Sequence, residues 1–300
     1  MPSAQTHLLI IDPQNDFCDL PPGYLPNDPL NPGARLAPAL PVPGAHADLQ
    51  RLARFIDAAA ASLAAITVTL DSHHLLDIAH PGFWQQADGT APAPFITISA
   101  AAVRAQAFLP RDPAALPRCL AYLDALESAG RYQLMIWPVH CELGSWGHAV
   151  HADVRAAYNR WEAASLRSVS KVLKGLNRWT EHYSALQAEV PDPQDPASQL
   201  NQPLLDALLG AMGPHDRLLI AGEASSHCVR ATVEHVLEFG AAQGLSDRFE
   251  RLVLLTDCMS PVSGFEAQQQ SFFAAMQARG LRLSTSPAVL AELAQPGLRA

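Results

Sequence analysis

Short apolar runs alternate with helical patterns along this 300-residue chain, and this alternation restricts the fold more than any other feature. The runs expected to form strands are residues 7–11, 64–70, 134–137, 168–173, 218–221 and 251–256. The helical patterns cover residues 47–61, 117–128, 146–164, 226–238 and 265–279. This order predicts an α/β protein with a doubly wound, mainly parallel sheet and helices on both faces. The loops that follow the strands would then meet at one edge of the sheet.

The length and hydrophobic content of the chain suit one large domain. With 49% hydrophobic residues, a chain of this length can bury a full core. We therefore expect a single domain over residues 1–300. Three stretches, at 19–44, 85–112 and 188–203, are expected to be insertions into this domain. Loops of that length inside a compact domain act as functional lids or as mobile linkers.

The charge and the cysteine content argue against several classes of protein. A formal net charge of −9 disfavours nucleic acid or an anionic membrane as the partner. No apolar run is long enough to span a bilayer, and the first residues lack the pattern of a signal peptide. Five cysteines, widely spaced and without a CxxC pair, suit a reducing compartment better than a disulfide framework. We expect a cytoplasmic protein.

Cys228 is the candidate nucleophile because of its position between a strand and a helix. The apolar run 218–221 breaks at Gly222, and helical spacing starts after Ser225 and Ser226, either of which is a suitable N-cap. The start of a helix stabilises an anion, so a thiol there is expected to lose its proton more easily. The free N–H groups could also hold an oxyanion. The alternative is that Cys228 is a small buried apolar residue.

Two charged side chains follow other predicted strands. Asp12 comes directly after residues 7–11 and could accept the proton of a thiol if it is partly desolvated. The alternative is that Asp12 caps the following turn. Lys174 follows residues 168–173 and would form an ion pair with Asp12. Lys171 competes for this role, but Gly175 permits a tight turn and favours Lys174.

A possible metal site lies after the second and third predicted strands. Asp71 and His73 are two residues apart on an extended segment, so their side chains point the same way. His140 follows residues 134–137 and is the third candidate, and His80 lies just beyond His73 and His74 in the sequence. One Asp and two His with open positions suit Zn²⁺, Fe²⁺ or Mn²⁺. Because the chain has 12 His, ordinary hydrogen-bonded loop histidines are the alternative.

Taken together, these segments resemble the isochorismatase-like cysteine hydrolases, and within them most closely the nicotinamidases. The resemblance extends from about residue 6 to residue 283, with the three insertions between the matching segments. It rests on Asp12 to Phe17 (DPQNDF), Asp71 to His73 (DSH), Trp137 to Cys141 (WPVHC), Ser145 to Gly147 (SWG), Lys174-Gly175 with Tyr183 to Ala185 (YSA), and Ala221 to Val229 (AGEASSHCV).

The resemblance implies an amidohydrolase that converts nicotinamide and water to nicotinate and ammonia and so feeds NAD salvage. In this scheme Asp12 deprotonates Cys228, Lys174 orients both, and the thiolate forms a thioester with the substrate. It also implies a cis peptide bond between Glu223 and Ala224. The resemblance also implies that the N–H groups of Ala224 and Cys228 form the oxyanion hole. The substrate ring would contact Phe17, Trp137 and Tyr183. The metal would be bound by Asp71, His73 and His140, with His80 as a possible extra ligand.

The same resemblance gives expectations about ligands and assembly. The metal is expected to be a single divalent ion, with Zn²⁺ first and Fe²⁺ or Mn²⁺ as alternatives. The partner is expected to be a small heteroaromatic amide, and the chain to form a homo-oligomer. Another small amide or a carbamoyl compound is the alternative substrate.

The chain departs from the family pattern at two places near the cysteine. The pair before Cys228 is Ser226-His227, where the family often has Asp with His or Tyr. Glu223 stands where the family usually has an aliphatic residue. Its carboxylate could be turned outward, bonded to a Ser, or used to recognise a positively charged substrate.

Overall fold

A computed structural model describes residues 4–294 of the chain. In chain order, the strands in that range are β1 Thr6–Ile11, β2 Leu63–Asp71, β3 Trp84–Gln86, β4 Thr97–Ile98, β5 Phe108–Pro110, β6 Leu134–Met135, β7 Ser170–Lys174, β8 Arg217–Gly222, β9 Leu252–Leu255 and β10 Arg282–Ser284. The α-helices in that range are α1 Ala45–Ala59, α2 Ala100–Arg104, α3 Leu116–Ala129, α4 Ala152–Ser165, α5 Gln202–Leu205, α6 Cys228–Ala242, α7 Glu266–Ala278 and α8 Ser286–Leu293.

A six-stranded sheet in the order β10-β9-β8-β1-β2-β7 forms the centre, and every neighbouring pair is parallel. Helix α1 packs against α4 and α8, and α5 packs against α6. The predicted doubly wound α/β architecture is confirmed. The strands that follow β1 in the chain are first added on one side of it, as β2 and β7, and later on its other side, as β8, β9 and β10. The strand order therefore changes direction at β1. Open α/β sheets bind ligands at such a switch point, beyond the carboxyl ends of the strands.

The two strands at the switch point are almost completely buried. In β1 the residues from Leu8 to Ile11 are at most 1% exposed, and in β8 those from Leu218 to Ala221 are fully buried. Continuous apolar runs are typical of parallel strands that are covered on both faces. Edge strand β7, in contrast, exposes Ser170, Lys171 and Leu173. The sheet therefore has a fully buried centre, from which the side chains after β1 and β8 are positioned.

Several predicted boundaries were wrong. Of residues 134–137, only Leu134–Met135 forms a strand, and it pairs antiparallel with β4 outside the central sheet. A short apolar run fits any buried strand, so its pattern could not specify the sheet. The helix expected from residue 146 begins at Ala152, where the His151 side chain accepts the N–H of Asp153. Strand β10 and helix α8 were not predicted.

The predicted N-cap of α6 was also wrong. His227 occupies the N-cap position, and its side chain makes no capping hydrogen bond. The Ser226 hydroxyl instead accepts the N–H of Val262 at 3.1 Å and contacts Nδ1 of His227 at 2.9 Å. A contact with a distant loop has therefore replaced the local cap.

The first predicted insertion, 19–44, returns at its far end to the segment that follows β1. The N–H of Leu40 donates to the carbonyl of Asp16, and the N–H of Val42 donates to that of Phe17. The second, 85–112, contains β4, α2 and β5, and the third, 188–203, contains a short 3₁₀ turn at Pro196–Ser198 and the start of α5. None of the described helices is long and apolar enough to cross a membrane.

Candidate active site

Four ionisable side chains meet where β1, β2 and β7 end and α6 begins. Asp12 follows β1, Asp71 and Lys174 are the last residues of β2 and β7, and Cys228 is the first residue of α6. All four are at most 6% exposed. The structure thus brings together the three predicted catalytic side chains and one predicted metal ligand.

Lys174 is the centre of this cluster. Its Nζ lies 3.0 Å from Oδ2 of Asp12 and 2.9 Å from Oδ1 of Asp71, donates to the carbonyl of His182 at 3.0 Å, and lies 3.6 Å from Sγ of Cys228. Burial alone would lower the pKa of Lys174, but the two carboxylates outweigh it and raise the pKa well above its usual value. The ammonium group is therefore charged at neutral pH. Lys171 lies outside the cluster, with its Nζ over the ring of Tyr158.

Asp12 is held by a residue that the sequence analysis missed. The Thr69 hydroxyl donates to Oδ1 of Asp12 at 2.6 Å and accepts the N–H of Asp12 at 3.1 Å. Asp12 has a φ of 44°, in the left-handed region that few non-glycine residues adopt. Burial raises the pKa of Asp12, although Lys174 opposes this effect. A carboxylate with a raised pKa is a better proton acceptor near neutral pH.

The Cys228 thiol is not acidified in the free protein, contrary to the expectation from its place at a helix start. Burial raises its pKa well above the usual value, and the charge of Lys174 opposes this only in part. The Asp12 and Asp71 carboxylates raise it further. Ligand atoms of Asp12, Asp71 and Cys228 lie within 4.8 Å of one another. The thiol is therefore protonated and has a base beside it.

Two backbone N–H groups beside the thiol are free. Those of Ala224 and Cys228 donate no hydrogen bond to any described residue. The Glu223–Ala224 peptide bond is cis, as the resemblance implied. Free N–H groups next to a nucleophile can stabilise the oxyanion of a tetrahedral intermediate.

Three predicted metal ligands face each other beside this cluster. Oδ2 of Asp71 lies 3.1 Å from Nε2 of His73 and 3.4 Å from Nε2 of His140, and one ligand atom of each residue lies within 4.8 Å of the others. One carboxylate oxygen and two imidazole nitrogens form a donor set that fits Zn²⁺, Fe²⁺ or Mn²⁺. Asp71 thus contacts Lys174 through one oxygen and the two histidines through the other.

In both histidines the ring nitrogen Nδ1, on the side away from the other candidate ligands, has a polar partner. Nδ1 of His73 lies 3.2 Å from Oδ2 of Asp77, and Nδ1 of His140 lies 2.8 Å from the carbonyl oxygen of Pro138. Metal-binding histidines usually have their second nitrogen held in this way. Asp77 was missed because nothing in its loop sequence distinguishes it.

His80 lies behind the three ligands and is not part of them. Its Nε2 is 3.4 Å from Nδ1 of His140, the nitrogen that is turned away from Asp71. Its Nδ1 is 3.0 Å from the carbonyl oxygen of His74. Burial lowers the pKa of His80 to about 4, so the ring is neutral.

A small pocket opens above Cys228. The predicted substrate residues Phe17, Trp137 and Tyr183 all line it, and Nε1 of Trp137 donates to the Tyr183 hydroxyl at 3.1 Å. The other lining residues are Leu40, Asp71, His140, Glu181, Ala224, His227, Cys228 and Val262. The pocket therefore has an aromatic wall, a thiol and two of the candidate metal ligands.

Glu181, Leu40 and His227 are pocket residues that the sequence analysis missed. One carboxyl oxygen of Glu181 accepts the N–H of His182, and the other has no hydrogen-bond partner among the described residues. Burial raises the pKa of Glu181. Burial lowers the pKa of His227 to about 4, so its ring is neutral. Glu181 and His227 lie in or beside the segments that carry the resemblance, whereas Leu40 comes from the first insertion and has no local signal.

We expect His73→Ala to lower the bound metal at least several-fold, because one of three ligands is lost. The measurement is metal content per chain after loading with Zn²⁺ and removal of free ion. His74→Ala is the matched control, since His74 is exposed and next in sequence. Equal metal content in His73→Ala and wild type would mean that the metal site is elsewhere.

No protein-family model matches the chain, and neither does any curated protein. Among solved structures, it is similar to a nicotinamidase/pyrazinamidase from Acinetobacter baumanii, with 17% identity over 96% of this chain and 99% of that one and a TM-score of 0.57. It is also similar to yeast nicotinamidase Pnc1p bound to the inhibitor nicotinaldehyde, with 18% identity over 94% and 100% of the two chains and a TM-score of 0.56.

A third similar structure is PnC1 from L. infantum in complex with nicotinate, with 20% identity over 96% of each chain and a TM-score of 0.50. At these identities the likeness establishes the fold. The chain has the fold of solved nicotinamidases along nearly its whole length, which confirms the resemblance at that level.

Proposed function

We propose that this chain is a metal-containing cysteine amidohydrolase that hydrolyses a small heteroaromatic amide, with nicotinamide as the first candidate. The observation that carries the proposal is the position of Asp71. This carboxylate contacts Lys174 through Oδ1 and the pair His73 and His140 through Oδ2, so the nucleophile and the candidate metal centre share one pocket. The fold shared with solved nicotinamidases supports the choice of nicotinamide.

The first half of the reaction would be acylation of Cys228. Asp12 removes the thiol proton, and the sulfur attacks the carbonyl carbon of the amide. The N–H groups of Ala224 and Cys228 donate to the oxyanion of the tetrahedral intermediate. Asp12 then gives the proton to the amide nitrogen, the C–N bond breaks, and ammonia leaves a thioester. Lys174 holds Asp12 in place and keeps its charge next to the sulfur.

The second half would be hydrolysis of the thioester. Asp12 removes a proton from water, and the resulting hydroxide attacks the thioester carbonyl. The carbon–sulfur bond breaks, the carboxylic acid leaves, and the proton returns from Asp12 to the sulfur. Each group is thus back in its starting state.

Asp71, His73 and His140 would hold one divalent ion, Zn²⁺ first and Fe²⁺ or Mn²⁺ as alternatives. The ion would supply a Lewis-acid position for the ring nitrogen of the substrate. Phe17, Trp137 and Tyr183 line the pocket, and a flat aromatic slot suits a flat ring.

We place this enzyme in NAD salvage and in a reducing compartment such as the cytoplasm. Nicotinate, the product of nicotinamide hydrolysis, would enter that salvage. The five cysteines are all buried and free, which fits a compartment that keeps thiols reduced.

A second candidate substrate is another small amide or a carbamoyl compound. The partnerless carboxyl oxygen of Glu181 favours it, because a substrate with an extra polar group could satisfy that oxygen. Chelation distinguishes the two substrates: loss of activity on metal removal favours an amide on a nitrogen-containing ring. A binding protein without catalysis is a weaker candidate, because binding alone has no need of a buried thiol, base and ammonium group in contact.

We expect the purified, Zn²⁺-loaded protein to release ammonia and nicotinate from nicotinamide, and to act far more slowly on benzamide. Benzamide has the same shape but no ring nitrogen for the metal. Ammonia release and product chromatography are the measurements. No release from a protein with full metal content would reject nicotinamide as the substrate, and equal rates on the two amides would reject the role of the ring nitrogen.

A further inference from the structure

Glu223 precedes Ala224, one of the two proposed oxyanion donors, yet its side chain is completely buried. The N–H of Ser260 donates to Oε2 of Glu223 at 3.0 Å. The hydroxyl of the same serine donates to Oδ2 of Asp48 in α1. Ser260 thus bridges two carboxyl groups, of which Asp48 is 3% exposed.

The surroundings of this pair contain too little positive charge for two ionised carboxylates. Arg51 contacts the other oxygen of Asp48 and donates to the carbonyl of Asp257. Among the described residues, the hydrogen bond that the Glu223 side chain accepts comes from the neutral N–H of Ser260. Oε1 of Glu223 has no hydrogen-bond partner among those residues. The titratable and charged groups around the pair are Arg51 from α1, Cys18 and Asp19 from the segment after β1, and Cys258 from the loop after β9.

An unpaired buried carboxylate is far more costly than a carboxylic acid in the same place. Burial, and after it the charge of Asp48, raises the pKa of Glu223 well above its usual value. A proton on Glu223 would remove the unpaired charge and give the pair a donor.

We propose that Glu223 is a positioning residue that stays protonated in the folded protein, shares its proton with Asp48, and thereby fixes the backbone that carries the Ala224 N–H. The same backbone is held on both sides, because the N–H of Glu223 donates to the carbonyl of Ile11 and the N–H of Ser225 donates to that of Ser260. The consequence for catalysis rests on the proposed function, whereas the shared proton does not.

The shared proton is tested by unfolding with urea at pH 6, 7 and 8. In the folded protein Glu223 keeps its proton. In the unfolded chain Glu223 loses this proton when the pH is above the ordinary pKa of a glutamic acid. We therefore expect the ratio of the two unfolding constants, wild type over Glu223→Gln, to rise about tenfold per pH unit. The rise should stop when the pH reaches the pKa of Glu223 in the folded protein. A constant ratio would overturn the proposal. If Glu223→Gln fails to fold, Asp48→Asn replaces it and should also reduce the pH dependence.

The positioning role is tested by comparing two replacements of similar size. The Glu223 side chain lies within hydrogen-bonding reach of Asp48, so Gln can accept from Ser260 and donate to Asp48. Leu can do neither. We expect Glu223→Leu to lower kcat about tenfold or more with KM within about twofold, since an oxyanion donor acts mainly in the transition state. Glu223→Gln should restore kcat, and equal losses in the two variants would overturn the positioning role. If no variant hydrolyses nicotinamide but the stability ratio changes tenfold per pH unit, the shared proton is supported and the proposed substrate is rejected.

Discussion

Cys228→Ala is expected to reduce amide hydrolysis by about 10⁴-fold or more, because the thioester can no longer form. The variant should keep its fold and its metal content, since Cys228 is not one of the candidate metal ligands and only a thiol is lost. The measurement is ammonia release under saturating substrate, together with mass spectrometry of the protein during turnover. Wild type should carry the acyl group on Cys228 and the variant should carry none.

Cys119→Ala is the matched control for this substitution. Cys119 is also a buried helical cysteine, but it lies in α3 and does not line the pocket. We expect this variant to keep kcat close to that of wild type. Activity of Cys228→Ala near the wild-type level would remove Cys228 from the mechanism.

Asp12→Asn is expected to lower kcat by about 10²- to 10⁴-fold, the usual contribution of a positioned general base. An amide has almost the same shape as the carboxylate and can still accept from the Thr69 hydroxyl, but it cannot take the thiol proton. The loss should be large because the pKa of the Cys228 thiol is raised by burial, so hardly any thiolate forms without a base. Rapid mixing with substrate should show that acylation is the slowed step.

Thr69→Val tests the contribution of the Thr69 hydroxyl without removing the proposed base, Asp12. It removes the hydroxyl that holds Asp12 but leaves the carboxylate, so the loss of kcat should be clearly smaller than in Asp12→Asn. If Asp12→Asn stays within about tenfold of wild type, below the range for a general base, another group accepts the proton.

The sequence predicted the parts of the fold and site that depend on local pattern. Apolar runs ended by polar residues located β1, β2, β7 and β8, and in a parallel sheet the ends of such strands meet at one edge. Asp12, Asp71 and Lys174 could therefore be placed together from the order of these runs alone. The strand at residues 134–137 and the start of α4 were misplaced, because tertiary contacts and the His151 cap decided them.

Residues that act through distant contacts were beyond the reach of the sequence. Asp77 supports a histidine four residues earlier, but its role depends on how the loop folds back. Thr69 had a signal, since it is two residues before Asp71 and so on the same side of β2. The thiol pKa was misjudged because burial outweighs the helix start and Lys174. Of the three options for Glu223, an outward carboxylate was wrong, and the bond to a serine is present through the backbone of Ser260.

Leu40 shows that part of the pocket wall lies outside the segments that carry the catalytic residues. It lines the pocket from the first insertion, which is joined to the scaffold by backbone hydrogen bonds to Asp16 and Phe17. Backbone bonds of this kind tolerate many side chains, so this wall can be altered without disturbing Asp12, Lys174 or Cys228. If the proposed function holds, substitutions in this insertion would shift the range of accepted amides while the catalytic residues stay unchanged.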